Sequence, residues 1–318
     1  MNNIQRGDEL MSQGIKLDSS MFEIVGKDVE QSMQISRPSM TYWQDAWRRL
    51  KENPVAIASI IILALMILTA FIGPHLQPYD YAQQDFMAIN QGPSSAHWFG
   101  TDTLGRDIFV RCWEGAKVSL FIAFVTAFIE FTIGVFYGGI SGYKGGMLDN
   151  FMMRFIDVIF SIPSMLWIIL LMVALKPGLN TMILAMSITG WGGMARLVRG
   201  QVLQLREMEY VMAAKTLGAD SKRIIVKHLI PNAMGPIIIS LTFSIPGAIF
   251  TEAFLSYIGL GLPLPLSSWG TLSNDGAQVL LMYPYQLFFP SLLLSVTMLT
   301  FNLLGDGLRD ALDPKLRT

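Results

Sequence analysis

Residues 54–73 run for twenty positions without an Asp, Glu, Lys or Arg. A helix needs about 20 mostly apolar residues to cross the ~30 Å hydrocarbon core of a bilayer. Five further stretches resemble it: 118–139, broken only by Glu130, then 158–175, 179–195, 232–251 and 287–305, all free of charge. In lipid the backbone has no water to bond, so such runs close their own hydrogen bonds as helices, and nothing here alternates like the strands of a barrel. The expectation is an all-α, polytopic membrane protein with six transmembrane helices. Composition agrees: 15% of residues are charged, where soluble domains run near ~25%, and the mean hydropathy is +0.45.

Lysine and arginine set the direction of the spans. Arg48, Arg49 and Lys51 precede the first; Arg196, Arg199, Arg206, Lys215, Lys222, Arg223 and Lys227 fall between the fourth and fifth; Arg309, Lys315 and Arg317 follow the sixth. Residues 256–286 hold neither Lys nor Arg, and one acid, Asp275. Loop 74–117 has Arg106, Arg111 and Lys117 against five acids. Both termini inside a cytoplasmic membrane satisfies the pattern. Residues 1–41 form a polar cytoplasmic tail with no apolar stretch of the kind a secretory signal needs. Residues 42–53 form an amphipathic segment whose tryptophans beside basic residues suit the membrane–water boundary or a helical lead-in. The permease domain then covers 54–318.

A net charge of −1 gives no basic footprint for nucleic acid. Cys112 is the sole cysteine, so neither an internal disulfide nor a cysteine-built zinc site is available.

Residues 206–231 are charged yet patterned. The stretch 207–217 favours helix, Gly218 stands where a helix commonly ends in a left-handed residue, and Asp220 or Ser221 is placed to cap a second short helix closed by Pro231. Leu217, Ile224, Ile225 and Leu229 supply apolar contact surface at the tip. Ala213, Ala214, Gly218 and Pro231 fall at the spacing of the EAA loop of ABC importer permeases, which this segment resembles; Met212, His228 and Ile230 replace the family's glutamate, isoleucine and leucine. The resemblance implies a coupling helix, with Ala213, Ala214, Leu217, Gly218, Ile224, Ile225 and Pro231 engaging a separate ATPase. The chain itself has no G-x4-G-K-[ST] phosphate loop.

Residues 97–111 are more specific. His97, Gly100, Thr101, Asp102, Gly105, Arg106, Asp107 and Arg111 fill every position of a signature similar to that of the oligopeptide, dipeptide and nickel branch of these permeases, closest to the oligopeptide permease C subunit. Further likeness lies in 250–261, Ser268-Trp269-Gly270 and 305–310. Gly100 and Gly105 permit tight turns that Asp102, Arg106 and Asp107 lock by pairing; the loop either covers the pore mouth or meets a solute-binding protein. The resemblance implies no catalysis, no cofactor or metal on this chain, and ATP and Mg on partner subunits. The implied partners are a second homologous permease, two ABC ATPases, an extracytoplasmic peptide-binding protein and the lipid bilayer, with no nucleic acid. Dipeptide or nickel are the alternative cargoes.

Glu130 and Glu252 are acids within spans, where a carboxylate usually faces the bundle interior. Each is a candidate for the substrate pathway, with helix–helix bonding or capping as the plainer alternative. An ion-coupled carrier is a rival class with Glu130 as its main support. An intramembrane enzyme is another, but His75, His97 and His228 all fall in loops, and no H-E-x-x-H site occurs.

Overall fold

The computed structural model describes residues 41–313. The chain divides into two compact units, Met1–Asp45 and Ala46–Thr318; of the first, only residues 41–45 are described. The polar tail therefore lies, but for Thr41, outside the described residues, as do Lys315 and Arg317.

Eleven α-helices carry the described residues, in the order α1 (Tyr42–Glu52), α2 (Pro54–Ile72), α3 (Ile108–Lys144), α4 (Gly146–Phe160), α5 (Ser164–Leu175), α6 (Leu179–Leu205), α7 (Glu209–Thr216), α8 (Ser221–Ile224), α9 (Ile230–Leu255), α10 (Trp269–Gln278) and α11 (Tyr285–Leu312). Thr41 and Gln44 start α1 with a reciprocal cap: the Gln44 amide donates to Thr41 Oγ1 at 3.4 Å and the Thr41 amide to Gln44 Oε1 at 3.0 Å. Asn53 then caps α2, accepting from the Val55 and Ala56 amides. Pro54 follows at the first helical position, where a missing N–H costs nothing.

Four helical stretches are long and apolar enough to cross a membrane, Pro54–His75, Ile108–Lys144, Ser221–Leu260 and Tyr285–Leu312; α4 and α5 make a fifth only if taken together across a 71° bend. The expected count of six is not reached by that measure. Two physical reasons account for it. Residues 158–175 are not one helix: Pro163 has extended backbone, φ −52° and ψ 131°, and breaks the run between Phe160 and Ser164. Residues 179–195 belong to the 27-residue α6, diluted by Asn180, Thr181, Ser187, Thr189 and three glycines, and then by Arg196 and Arg199.

The bundle is organised on α3 and α6. Gly134, Gly138 and Gly142 repeat every fourth residue and bring one face of α3 against Met194, Ala195 and Val202 of α6. A Cβ at Gly138 would lie 2.3 Å from the Ala195 carbonyl oxygen, so the close approach needs glycine, as membrane helices that pack on small residues do. A large buried cluster gathers Met66, Ile122, Met172, Met182, Ile249 and Trp269 from six helices. A second gathers Val135, Val198, Val211, Ile224, Leu229 and Ile237 at the 206–231 end. Facing outward, Phe71, Phe128, Leu170 and Val173 are all more than half exposed, a surface suited to lipid rather than water.

Candidate functional site

Two constellations occupy the ends of the bundle, and two carboxyls, Glu252 and Glu130, lie within it. At the α3 N-terminus the signature loop is a folded unit. Gly100 and Gly105 have φ of +80° and +72°, the left-handed region that glycine adopts without penalty. Asp102 is its hub: Oδ1 accepts from the Leu104 and Arg106 amides at 2.8 and 3.0 Å, and Oδ2 accepts from Arg106 Nε at 2.7 Å and Arg111 Nη1 at 2.5 Å. Asp107 caps α3 through the Val110 amide at 2.9 Å and holds His97 Nδ1 at 2.8 Å. The His97 ring stacks on Tyr79 at 4.5 Å. Thr101 donates to the Ala88 carbonyl and accepts from the Gln91 amide. Its own carbonyl receives Tyr285 Oη and Gln286 Nε2, each at 3.2 Å.

His97, Thr101, Asp102, Arg106, Asp107 and Arg111 are all buried. Among the described residues Arg106 pairs with Asp102, while Asp107 serves His97 and the helix cap, so the expected lock is divided between two acids. Beside the loop lies a cavity of about 520 Å³ reached by Arg106, Arg111, Thr271 and Asp275. Asp275 Oδ2 stands 3.8 Å from Arg111 Nη1. Partial burial raises the Asp275 carboxyl above its ordinary range, against the opposing pull of Arg111.

Close to this loop, Glu252, three residues before the end of α9, is fully enclosed. Its Oε1 accepts from Ser268 Oγ at 2.6 Å and Ser256 Oγ at 2.9 Å, and its Oε2 accepts from Ser119 Oγ at 3.1 Å. Ser119 in turn accepts the Trp269 amide at 3.1 Å. One carboxyl thus ties α3, α9 and the start of α10 together. Glu130 differs: it is half-buried and lines a cavity of about 350 Å³ between α3, α5, α6 and α9.

At the opposite end, α7 stops in a Schellman motif. The Gly218 amide bonds the Lys215 carbonyl at 2.9 Å and the Ala219 amide bonds the Ala214 carbonyl at 3.0 Å, with Gly218 at φ +82°. Asp220, rather than Ser221, caps α8 through the Arg223 amide at 3.0 Å. Two expectations need correction. Ile224, Ile225 and Leu229 do not share an exposed tip with Leu217. They are buried against Val135, Val198 and Val202, while Leu217 is 87% exposed. Nor does Pro231 end the second helix: residues 225–229 form a π-turn in which the Ile230 amide reaches back to the Ile225 carbonyl. The wider turn carries the chain into α9 with the proline in its first turn, where an amide is not needed. Ala214 is buried and Ala213 exposed. Arg206 Nη1 donates to the Gly142 carbonyl at 2.9 Å, and Arg199 forks onto Asp149 with two 2.6 Å bonds, so the loop's root is fixed to α3 and α4.

Among the described residues no group of three or more His, Cys, Asp or Glu could hold a metal ion. The sequence reading met Ser256 and Ser268 only within the family likeness and Asp275 only as a loop acid; it did not connect the serines, with Ser119, to Glu252, nor Asp275, Tyr285 and Gln286 to the signature loop. A serine or glutamine alone gives no signal; only the fold assembles them.

Residues 118–318 match the family described as binding-protein-dependent transport system inner membrane component. The chain belongs to this family. The permease also matches, over residues 41–93, the N-terminal TM domain of oligopeptide transport permease C. It is 51% identical to the oligopeptide transport system permease protein OppC of Bacillus subtilis, across 95% of this chain and 99% of that relative. It is 54% identical to the dipeptide transport system permease protein DppC of the same organism, across 89% of each. Among solved structures the MetNI methionine ABC transporter in an inward-facing conformation superposes with a TM-score of 0.51 at 20% identity, covering 64% of this chain and 94% of that one, a likeness of fold.

Proposed function

We propose that this permease carries oligopeptides inward across the cytoplasmic membrane, as one of two related permease subunits driven by a pair of ATPases and supplied by an extracytoplasmic binding protein. The observation that carries the coupling role is the split of the 206–231 loop: Leu217 stands free beyond a rigid Schellman stop, while Ile224, Ile225 and Leu229 root the same loop in the bundle. A tip that is apolar, exposed and stiffly anchored passes force rather than absorbing it. ATP and Mg belong to the partner subunits in this reading, and both termini face the cytoplasm. The oligopeptide cargo is supported by the OppC relative and by the match over 41–93; dipeptide is the second reading, favoured by the DppC relative. Family membership speaks against the ion-coupled carrier and the intramembrane enzyme.

The signature loop and Glu252 serve as framework here: the buried ions of the loop lock the α3 N-terminus, and Glu252 ties three elements. The test is uptake by membrane vesicles lacking only this chain, with and without re-expression, in the presence of binding protein and ATP. Restored uptake of labelled tetrapeptides supports the reading. Restored transport of dipeptide or nickel alone moves the cargo, and no restored transport refutes the function.

A further inference from the structure

Glu130 sits 14 residues before the end of α3, about 21 Å along the helix axis from Lys144, deep in the part of the bundle that lipid surrounds. Among the described residues no lysine, arginine or histidine forms an ion pair with it, in contrast to Asp102, Asp149 and Asp157, each paired with arginine. Its carboxyl is the one ionisable group on a cavity whose other polar lining is hydroxyls: Ser164, Thr189, Ser244 and Thr251. The space around the carboxyl is made by missing side chains. A Cβ on Gly190 would lie 1.6 Å from Glu130 Oε1, whereas a Cβ on Gly193, on the same cavity, would meet nothing within 4 Å. A carboxylate with acceptor lone pairs to spare, ringed by hydroxyls and lacking a resident cation, is built to receive one.

We propose that the Glu130 cavity is a subsite for a primary ammonium, the N-terminal amine of a peptide in transit, with the serine and threonine hydroxyls accepting its remaining N–H groups. The inference rests on the peptide-transport reading above. At about 350 Å³ the cavity is at the small end of ligand pockets; it admits a terminal residue, not a whole peptide. That fits a chain whose cargo varies in sequence, since the amine is the group every unblocked peptide shares.

The test uses the assembled importer in lipid nanodiscs, without binding protein, and measures equilibrium binding of radiolabelled tetra-alanine. Glu130→Gln keeps the size and hydrogen-bonding reach of the side chain and removes its charge. The expected result is about tenfold weaker binding in Glu130→Gln, the usual scale for a hydrogen bond to a charged group. Excess N-acetyl-tetra-alanine is expected to displace the label poorly from wild type. Co-purification of the ATPase and partner subunits with the variant checks that it has assembled, and Glu130→Asp, which keeps the charge, is the second variant should Glu130→Gln fail to assemble. Equal binding by wild type and Glu130→Gln, full competition by the acetylated peptide, or no binding to wild type overturns the subsite. Peptide uptake by the wild-type importer with its binding protein is scored separately. Uptake without Glu130-dependent binding removes this inference alone; absence of peptide uptake removes the cargo reading beneath it.

Discussion

Truncating Leu217 and Ile224 to alanine separates the tip of the 206–231 loop from its root. Leu217 is 87% exposed and Ile224 is fully buried, so the same chemical change acts on different equilibria. Seating an exposed leucine in a partner's apolar groove is worth about 1.5–3 kcal/mol. Leu217→Ala should give up roughly 2 kcal/mol of that, about 30-fold in affinity for the ATPase subunits. It should leave the permease's own stability within about 0.5 kcal/mol, the usual effect of a surface substitution. Ile224→Ala instead empties part of a packed cluster and should cost about 2–5 kcal/mol. Two assays read the contrast: titration of purified ATPase subunits onto nanodisc-held permease, and thermal unfolding of the permease followed by intrinsic fluorescence. The reasoning fails if Leu217→Ala binds ATPase as tightly as wild type, or if it lowers the thermal midpoint as far as Ile224→Ala does.

Gly218 lies at φ +82° with open space around it, so Gly218→Ala should cost about 1–2 kcal/mol through backbone strain alone. Gly218→Asn should cost less, and uptake per ATP hydrolysed should rank glycine, asparagine, alanine. Gly138→Ala places a methyl 2.3 Å from the Ala195 carbonyl oxygen and should destabilise by about 1–3 kcal/mol; Gly200→Ala, with nothing within 4 Å, should not, and detergent thermal scans compare the two. Asp102→Asn leaves Arg111, 1% exposed, without its nearest counter-charge. The expected loss is about 3–5 kcal/mol, seen as faster proteolysis of loop 74–107 and a lowered unfolding midpoint.

Much of the fold was legible because lipid imposes one rule on every span: a charge-free run of the right length becomes helix. The stop at Gly218 and the turns at Gly100 and Gly105 were equally readable, since each rests on the backbone freedom of a single residue type. The break at Pro163 carried a local signal, because the residue before a proline is pushed away from helical backbone, yet an apolar run on both sides disguised it as one span. Which way Ile224, Ile225 and Leu217 face was not readable. All three are apolar in a charged segment, and burial is decided by Val135, Val198 and Val202, which lie far away in sequence. The three serines around Glu252 come from positions 119, 256 and 268, and no periodicity links them. Resemblance located the 97–111 signature, and self-pairing of its charges was expected from the residue types; the division of partners was not readable, with Asp102 holding Arg106 and Arg111 while Asp107 holds His97.

Both outer constellations are fastened to one helix. At the start of α3, Asp107 caps it and Arg111 ties it to Asp102; near its end, Gly142 holds Arg206 and Ser141 holds Asp149. Between them Ser119 reaches Glu252, and the glycine face locks α3 onto α6 with a clearance smaller than one methyl group. Packed interiors transmit displacement rather than absorb it. In the coupling role proposed above, a push on Leu217 would reach α3 and α6 together, through the buried isoleucines and through Arg206. The helical backbone is interrupted elsewhere, at the 161–163 break and at Gly259, whose φ of +85° interrupts the helical run after α9. The cavity lined by Glu130 lies between these parts: Glu130 and Thr189 stand on the stiff α3–α6 pair, Ser164 just past the break, and Ser244 and Thr251 on α9 before Gly259. A movement that leaves α3 and α6 rigid and displaces α5 or α9 must change the distance from that carboxyl to its surrounding hydroxyls.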